Sequence, residues 1–360
     1  MKRIVFLFFI LPFAAGFLNA QTKVLKMSAT KSTDFGVTYF LPKTMLTVRA
    51  GYNKITQKAG PYARYAERYL GVKEQSVVSE DQVYYKLNNI SVMSKGIVDK
   101  DASYMVEFKA KTTSPFVYLT EDGLICTINA DYEQDSDNKK VEPAQYASET
   151  SSIPAHSVYT EEYLNAGSVT KMAEVAAKQI YKLRESRTDL LTGNADNAPR
   201  DGEGMKIVLA NLEAQEKALT ELFTGTTTTE SLSSDFDIEP TSNVDKEVLF
   251  RFSRYAGIVD KDDLSGSPVY INIKNQESID TQEIIDPKRK AKESQSIMYN
   301  IPGKAEVEVF YGINSMYKNT LSVVQFGNKQ MLATSLFDDK KTPVKIYFYP
   351  ETGAIRQIIQ

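Results

Sequence analysis

The sequence predicts an α+β protein, with two antiparallel β regions separated by a long antiparallel helical hairpin. Three observations predict it. Apolar and polar residues alternate on both flanks of the chain, which is the strand period. The middle carries apolar residues at spacings of three, four and seven. A short run of Gly, Asn, Asp and Pro divides that middle in two. The segments are 1–20, an export signal; 21–150, a β-rich region with one short helix; 160–225, the hairpin; and 235–360, a second β-rich region.

The first segment has the parts of a cleavable signal peptide. Lys2 and Arg3 supply the positive end, Ile4 to Phe17 are uncharged and mostly apolar, and Leu18-Asn19-Ala20 ends in a small residue. Cleavage is expected between Ala20 and Gln21. The apolar run is shorter than the roughly 20 residues a spanning helix needs, and it contains Pro12. A lipid anchor at the cleavage point would need a cysteine where Gln21 stands. The expected location is exported, with no transmembrane segment after cleavage. Loss of Lys2 and Arg3 takes the formal charge from -3 to -5, and no basic block remains to track phosphates. Nucleic acid is therefore not an expected partner. Cys126 is the single cysteine, so no intrachain disulfide can form, although an oxidising compartment would permit one.

From about Thr33 the pattern has period two. Tyr104, Val106, Phe108 and Ala110 fall on one face, and Phe116–Leu119 and Leu124–Ile128 flank a turn closing at Asp122-Gly123. One short helix interrupts. Gly60-Pro61 opens it, Tyr62, Tyr65, Ala66, Tyr69 and Leu70 form its stripe, and Gly71 closes it. The tyrosines read as docking on the sheet, with a ligand-stacking ladder as the sharper alternative.

In the hairpin, Val169, Ala173, Ala176, Ile180, Leu183 and Leu190 mark one helix, and Met205, Val208, Leu212, Leu219 and Leu222 the other. Arg187, Gln215 and Glu216 interrupt the seams. Such residues lock register or mark an exposed stretch, so the pair is expected to lie on the sheet for part of its length and project for the rest. Thr226–Ser234 reads as a flexible connector. Alternation then returns at Val248, Phe250 and Phe252, at Val269, Ile271 and Ile273, and at Val307, Val309 and Tyr311. Gly327-Asn328 and Pro350–Gly353 read as hairpin turns, and 278–295 as an exposed loop. Two short echoes link the flanks: Leu119–Ile125 with Tyr349–Ile355, and Arg68–Val72 with Arg254–Ile258.

Chemistry is scarce along the chain. Nucleophilic catalysis needs an imidazole beside its nucleophile, and the sole histidine, His156, lies in a linker while Cys126 lies on a strand. One Cys and one His do not build a zinc site. Asp260–Asp263 and Asp131–Asp137 could offer oxygen ligands to calcium, but neither fits an EF-hand loop and both read as solvated turns. Gly202 and Gly204 open a helix after a helix, without the strand a dinucleotide loop requires. No catalytic, cofactor-binding or metal-binding residue is assigned, and no cofactor is expected.

The middle of the chain also resembles a known family. Ile180–Arg187, Leu190–Gly193, Asp201-Gly202, Leu212–Leu219 and Leu222–Gly225 are similar to the signature of the DUF4831 family, as are Gly60–Tyr62, Tyr65–Gly71 and Asp262–Gly266. These are exported Bacteroidetes proteins with no assigned function. The resemblance implies a Gram-negative envelope location and transfers no functional residue. The expected function is a non-enzymatic binding or scaffolding module whose partner is a protein or envelope component. The alternative is a carboxylate-dependent hydrolase acting on glycans, which needs two facing carboxyl groups about 5–9.5 Å apart.

Overall fold

The computed structural model describes residues 36–107, 117–132, 153–196, 198–199, 201–276, 296–333 and 344–359. The expected export signal and its expected cleavage site at Ala20 and Gln21 lie outside the described residues, as does the expected loop at 278–295.

In chain order the elements are β1 (Gly36–Lys58), α1 (Ala66–Leu70), β2 (Gln82–Glu107), β3 (Val117–Leu119) and β4 (Ile125–Ile128). Three helices follow: α2 (Glu161–Leu164), α3 (Val169–Thr192) and α4 (Gly202–Thr224). Then come β5 (Thr226–Ile238), β6 (Val244–Ser253), β7 (Gly257–Val259), β8 (Ser267–Asn275), β9 (Ser296–Tyr311), β10 (Asn314–Ala333), β11 (Lys345–Tyr349) and β12 (Ala354–Ile359). The strands form three sheets, ordered β2-β1-β5, β10-β9-β8-β6-β7 and β12-β11-β4-β3. Neighbouring strands within them run antiparallel.

This architecture corrects the expected fold class. The protein is β-rich, and its strands do not form two regions divided by helices. β5, which follows the helices, pairs with β1 from Leu46↔Ile238 to Lys58↔Thr226. β4 pairs with β11, some 220 residues further along the chain, at Ile346↔Ile128. Both flanks are thus woven into one β structure. Alternation shows that a segment is a strand, but pairing is set by long-range register, which the pattern does not contain.

Two local readings change with it. Thr226–Ser234 is no connector but the first part of β5. Its threonines are β-branched and suit a strand, and each stands opposite a β1 residue. Gly327-Asn328 is not a turn either: it lies inside β10, and the β9–β10 turn is at Gly312, whose φ is +62°. The first echo joins equivalent places, because Gly123 (φ +86°) and Gly353 (φ +68°) close the β3–β4 and β11–β12 turns of one sheet. The second does not, since Gly71 caps α1 while Gly257 begins β7.

The 23-residue β1 threads two cores. Tyr39 and Leu41 pack with Ile125, Ile128, Ile297, Ile346 and Phe348. Leu46, Val48 and Ala50 pack with Phe250, Ile271, Val307 and Val309, joining the first two sheets face to face. The buried positions change from odd to even between them. Where they change, the β1–β2 register jumps from Phe40↔Ser103 to Pro42↔Val98. The β9–β10 ribbon jumps too, from Gly303↔Val323 to Ile301↔Asn328. A bulge bends a strand and re-aims its side chains, so each ribbon turns from one core to the other here.

The two irregular places are bonded together. Thr44 N donates to Gln325 Oε1 (3.0 Å), Gln325 Nε2 to Thr44 O (2.8 Å) and Val324 N to Thr44 Oγ1 (3.0 Å). Asn300 Nδ2 donates to Pro42 O (3.1 Å) and Thr352 O (2.9 Å), while Asn300 N donates to Gly353 O (3.0 Å). Tyr39 Oη donates to Met298 O and accepts from Met298 N, at 3.0 and 2.7 Å. Thr44 and Asn300 are almost wholly buried. Backbone groups released by the bulges are thereby satisfied away from water.

A third core holds the helices. Tyr62, Ala66 and Tyr163 pack with Ala173, Ala176, Ile180, Leu219, Leu222 and Phe223.

Crowding at the joint is testable. A Cβ on Gly353 would meet Pro42 Cδ at 2.7 Å, whereas one on Gly193 would meet nothing, although both have positive φ. Gly193→Ala is expected to cost the left-handed penalty alone, about 1–2 kcal/mol. Gly353→Ala should cost clearly more, measured as the loss of unfolding free energy in urea. Equal losses would show that the joint has room to spare.

Candidate functional site

Ser168 caps α3, its side chain accepting from Lys171 N, and Gly193 ends the helix with φ +78°. Asp201 caps α4 by accepting from Gly204 N at 2.5 Å. That bond occupies the amide a phosphate would need, so Gly202 and Gly204 serve as a helix start. The two helices pack against each other, but their buried residues are confined to one end: Ala173, Val175, Ala176, Ala177 and Ile180 on α3, and Ala218, Leu219, Leu222 and Phe223 on α4. Beyond Ile180 and before Ala218 neither helix has a buried residue. This outer stretch is an arm.

Its base is set by charge. Glu216 accepts from Arg184 Nε at 2.6 Å and from Arg187 Nη1 at 3.0 Å, so the two seam-breaking residues Arg187 and Glu216 pair across the helices. Glu216 is only 15% exposed, which makes its two arginines a requirement, since an unpaired carboxylate there would be costly. Farther out, Leu191 and Ile207 are 67% and 61% exposed. From Arg184 to Thr192 the arm reaches about 12 Å at 1.5 Å per residue.

The tyrosines anchor the arm to the body. Tyr62 is buried, its backbone N donates to Leu222 O (2.9 Å), and its hydroxyl hydrogen-bonds that of Tyr163. The Tyr159 ring stacks on Tyr163 with centroids 4.2 Å apart. Tyr65 Oη lies 2.9 Å from Thr170 Oγ1, and Tyr181 Oη donates to Tyr69 O at 2.8 Å. The stripe therefore packs in the helical core, not on the sheet. Burial, and then the bond to Tyr163, push the Tyr159 phenol up to about 12; burial, and then the bond to Tyr62, do the same for Tyr163.

The other sequence candidates are dispersed. Cys126 is fully buried in β4, and burial pushes its thiol up to about 11, away from the thiolate a nucleophile requires. His156 is exposed on a 3-10 turn (Ala155–Val158) that packs on α4, in a different layer from Cys126. At Asp260–Asp263 the carboxylates accept from their own loop: Asp260 Oδ1 from Asp262 N (3.0 Å) and Asp263 Oδ1 from Ser265 N (2.9 Å). Arg251 donates to the carbonyls of Lys261 and Gly266 at 2.7 and 3.1 Å, which ties the loop to β6. Most of Asp131–Asp137 lies outside the described residues. Among the described residues no group of three His, Cys, Asp or Glu side chains could hold a metal ion, and no helix is long and apolar enough to cross a membrane.

One further feature depends on the pairing of β5, which the residue pattern does not contain. A cleft of about 350 Å³ opens between β5 and β6, lined by Phe236, Ile238, Leu249 and Ile271, with Asp235, Asp237 and Glu247 among its residues. The alternation Asp235-Phe236-Asp237-Ile238 was the signal. Asp235 is held in a two-bond pair with Arg49 at 2.7 Å, and Asp237 accepts from Thr47 Oγ1 at 2.5 Å. The bond to Arg49 holds the Asp235 carboxyl below its ordinary range. A general acid for glycan cleavage needs the opposite shift.

Fold and site together define a three-sheet antiparallel β protein bearing a two-helix arm. The chain matches the family described as Domain of unknown function (DUF4831) over residues 35–356 and belongs to it. No curated protein and no solved structure matches the chain.

Alkaline pH should loosen the anchor first. Tyr159 and Tyr163 are neutral when protonated, and their folded values of about 12 exceed the ordinary value near 10. Their contribution is complete below about pH 10 and is lost as pH rises toward 12. Far-UV circular dichroism should show helix loss beginning in that window. Tyr163→Phe should lower stability at neutral pH by about 1 kcal/mol and make the alkaline loss shallower. An unchanged alkaline profile would remove the tyrosines from the account.

Proposed function

We propose that this chain is an exported cell-envelope protein that works as a non-enzymatic binding or scaffolding module, presenting the α3–α4 arm to a protein or envelope partner. The observation that carries the reading is the arm itself. Its two helices run on past the last buried residue, held together by Glu216 and its two arginines, with Leu191 and Ile207 left open. A helical pair with no fully buried residue over its outer turns gains little by packing there, because helices draw most of their stability from tertiary contacts. An amphipathic helix surface laid against a groove or another helix is a common mode of recognition. The export signal read from Lys2 to Ala20 supports the envelope location.

The test is to excise residues 188–212 and close the gap with a short Gly-rich turn, keeping Arg184, Arg187 and Glu216. The body should keep its cooperative unfolding transition, while partners cross-linked to the intact chain in the envelope fraction should be lost. A second variant, Leu191→Glu, tests the same surface without shortening it and should weaken recovery. If both retain every partner, the arm is not the docking surface.

A further inference from the structure

We infer that the solvent face of α4 pairs with the same face of a second copy of this chain. The inference rests on the reading of the arm as a docking surface and names its partner. On α4 a stripe of mostly exposed residues runs through Glu203, Lys206, Ile207, Ala210, Glu213, Ala214 and Lys217, with Glu213 at its edge, 4.0 Å from Arg187 of α3. They recur at three- and four-residue intervals and centre on Ala210. The opposite side of the helix carries Val208, Leu212, Glu216 and Leu219, which face α3 or the helical core. Glu203, Lys206, Ile207, Ala210, Glu213 and Lys217 are exposed, and Ala214 is half-buried.

The pattern on this face is self-complementary. A two-fold axis through Ala210, at right angles to the helix, sets α4 antiparallel to its copy. Glu203 then lies opposite Lys217 of the second copy, and Lys217 opposite its Glu203. Lys206 lies opposite Glu213 of the second copy on one side of the contact line, and Ile207 against its Ala214 on the other. Every exposed charge in the stripe meets its opposite, and the apolar residues meet each other. A closed two-fold dimer requires such a self-complementary patch. The small side chains of Ala210 and Ala214 let the helix axes approach closely, leaving room for Ile207.

Within one copy these charges are weakly used. Lys206 pairs with Glu203 on the same exposed turn, and Lys217 and Glu213 have ion-pair partners only at 4.0 Å. Exposed pairs of this kind contribute little, so exchanging them across an interface costs the monomer little. The stripe is about 21 Å long at 1.5 Å per residue, which places the contact among small, reversible interfaces.

The test is sedimentation velocity on the purified mature chain across a micromolar concentration series, at low and high salt. A reversible monomer–dimer equilibrium weakened by salt is expected. Lys206→Glu sets like charges against Glu213 of the second copy and should weaken the dimer at least about tenfold, as should Ile207→Glu. The double variant Lys206→Glu/Glu213→Lys restores the opposite pairing and should regain most of the affinity. All these positions are exposed, and circular dichroism confirms that each variant is folded. A chain that stays monomeric throughout, or a dimer indifferent to the single substitutions and unrescued by the double, overturns the inference. Capture of other envelope partners that survives such a result would leave the arm as a docking surface and remove only the second copy.

Discussion

Two ribbons of strand break register at the same level and are tied together there by two side-chain amides, one of them buried, and a buried hydroxyl. The β1–β2 ribbon jumps between Phe40 and Pro42, and the β9–β10 ribbon between Ile301 and Gly303. Each ribbon must turn its apolar face from one core to the other, which leaves backbone groups without sheet partners. Thr44, Gln325 and Asn300 supply those partners. Neither jump is stable alone in a dry interior, since an unpaired buried amide costs about 1–3 kcal/mol. The crossing therefore holds both cores in place, and the glycines at 303, 327 and 353 are there because backbone or Pro42 occupies the space a Cβ would need.

The arm follows from the same geometry. β1 continues past the face-to-face core to Lys58, and β5 starts beside it at Thr226, directly after α4, while α1 lies between β1 and β2 at the same end of that sheet. The helices are therefore rooted at that end. Gly60 lies against the carbonyls of Glu221 and Leu222, and Gly225 against Lys58 O, fixing the root of α4 on the strands. Farther out, the ion pairs of Arg184 and Arg187 with Glu216 join the helices to each other. An arm attached rigidly at its base and free at its tip can present a surface without disturbing the body.

How far this could be read from residues varies with the kind of information each carries. Strands were legible where burial enforces alternation: Phe250, Ile271 and Val307 all face the core. The pairing of β5 with β1 was not, because Thr and Ser carry strand propensity without an apolar face, and the same composition marks a linker. The change from odd to even burial, between Leu41 and Leu46, is written in the chain, yet the extra residues that permit it lie on β2. The polar seam residues Arg187 and Glu216 were legible as either a lock or an exposed stretch; they form the lock, and the exposed stretch begins beside them. Ile207 is visible on a helical projection, but its exposure depends on what α4 fails to touch.

Native-state hydrogen exchange followed residue by residue tests the account most directly, since it ranks local opening against global unfolding. The amides of Asn300, Val324 and Met298 at the joint should exchange only through global unfolding, together with those of both cores. Amides of the arm between Arg187 and Leu212 should open at much lower free energy. A joint that opens separately from either core, or an arm protected as strongly as the sheets, would contradict it.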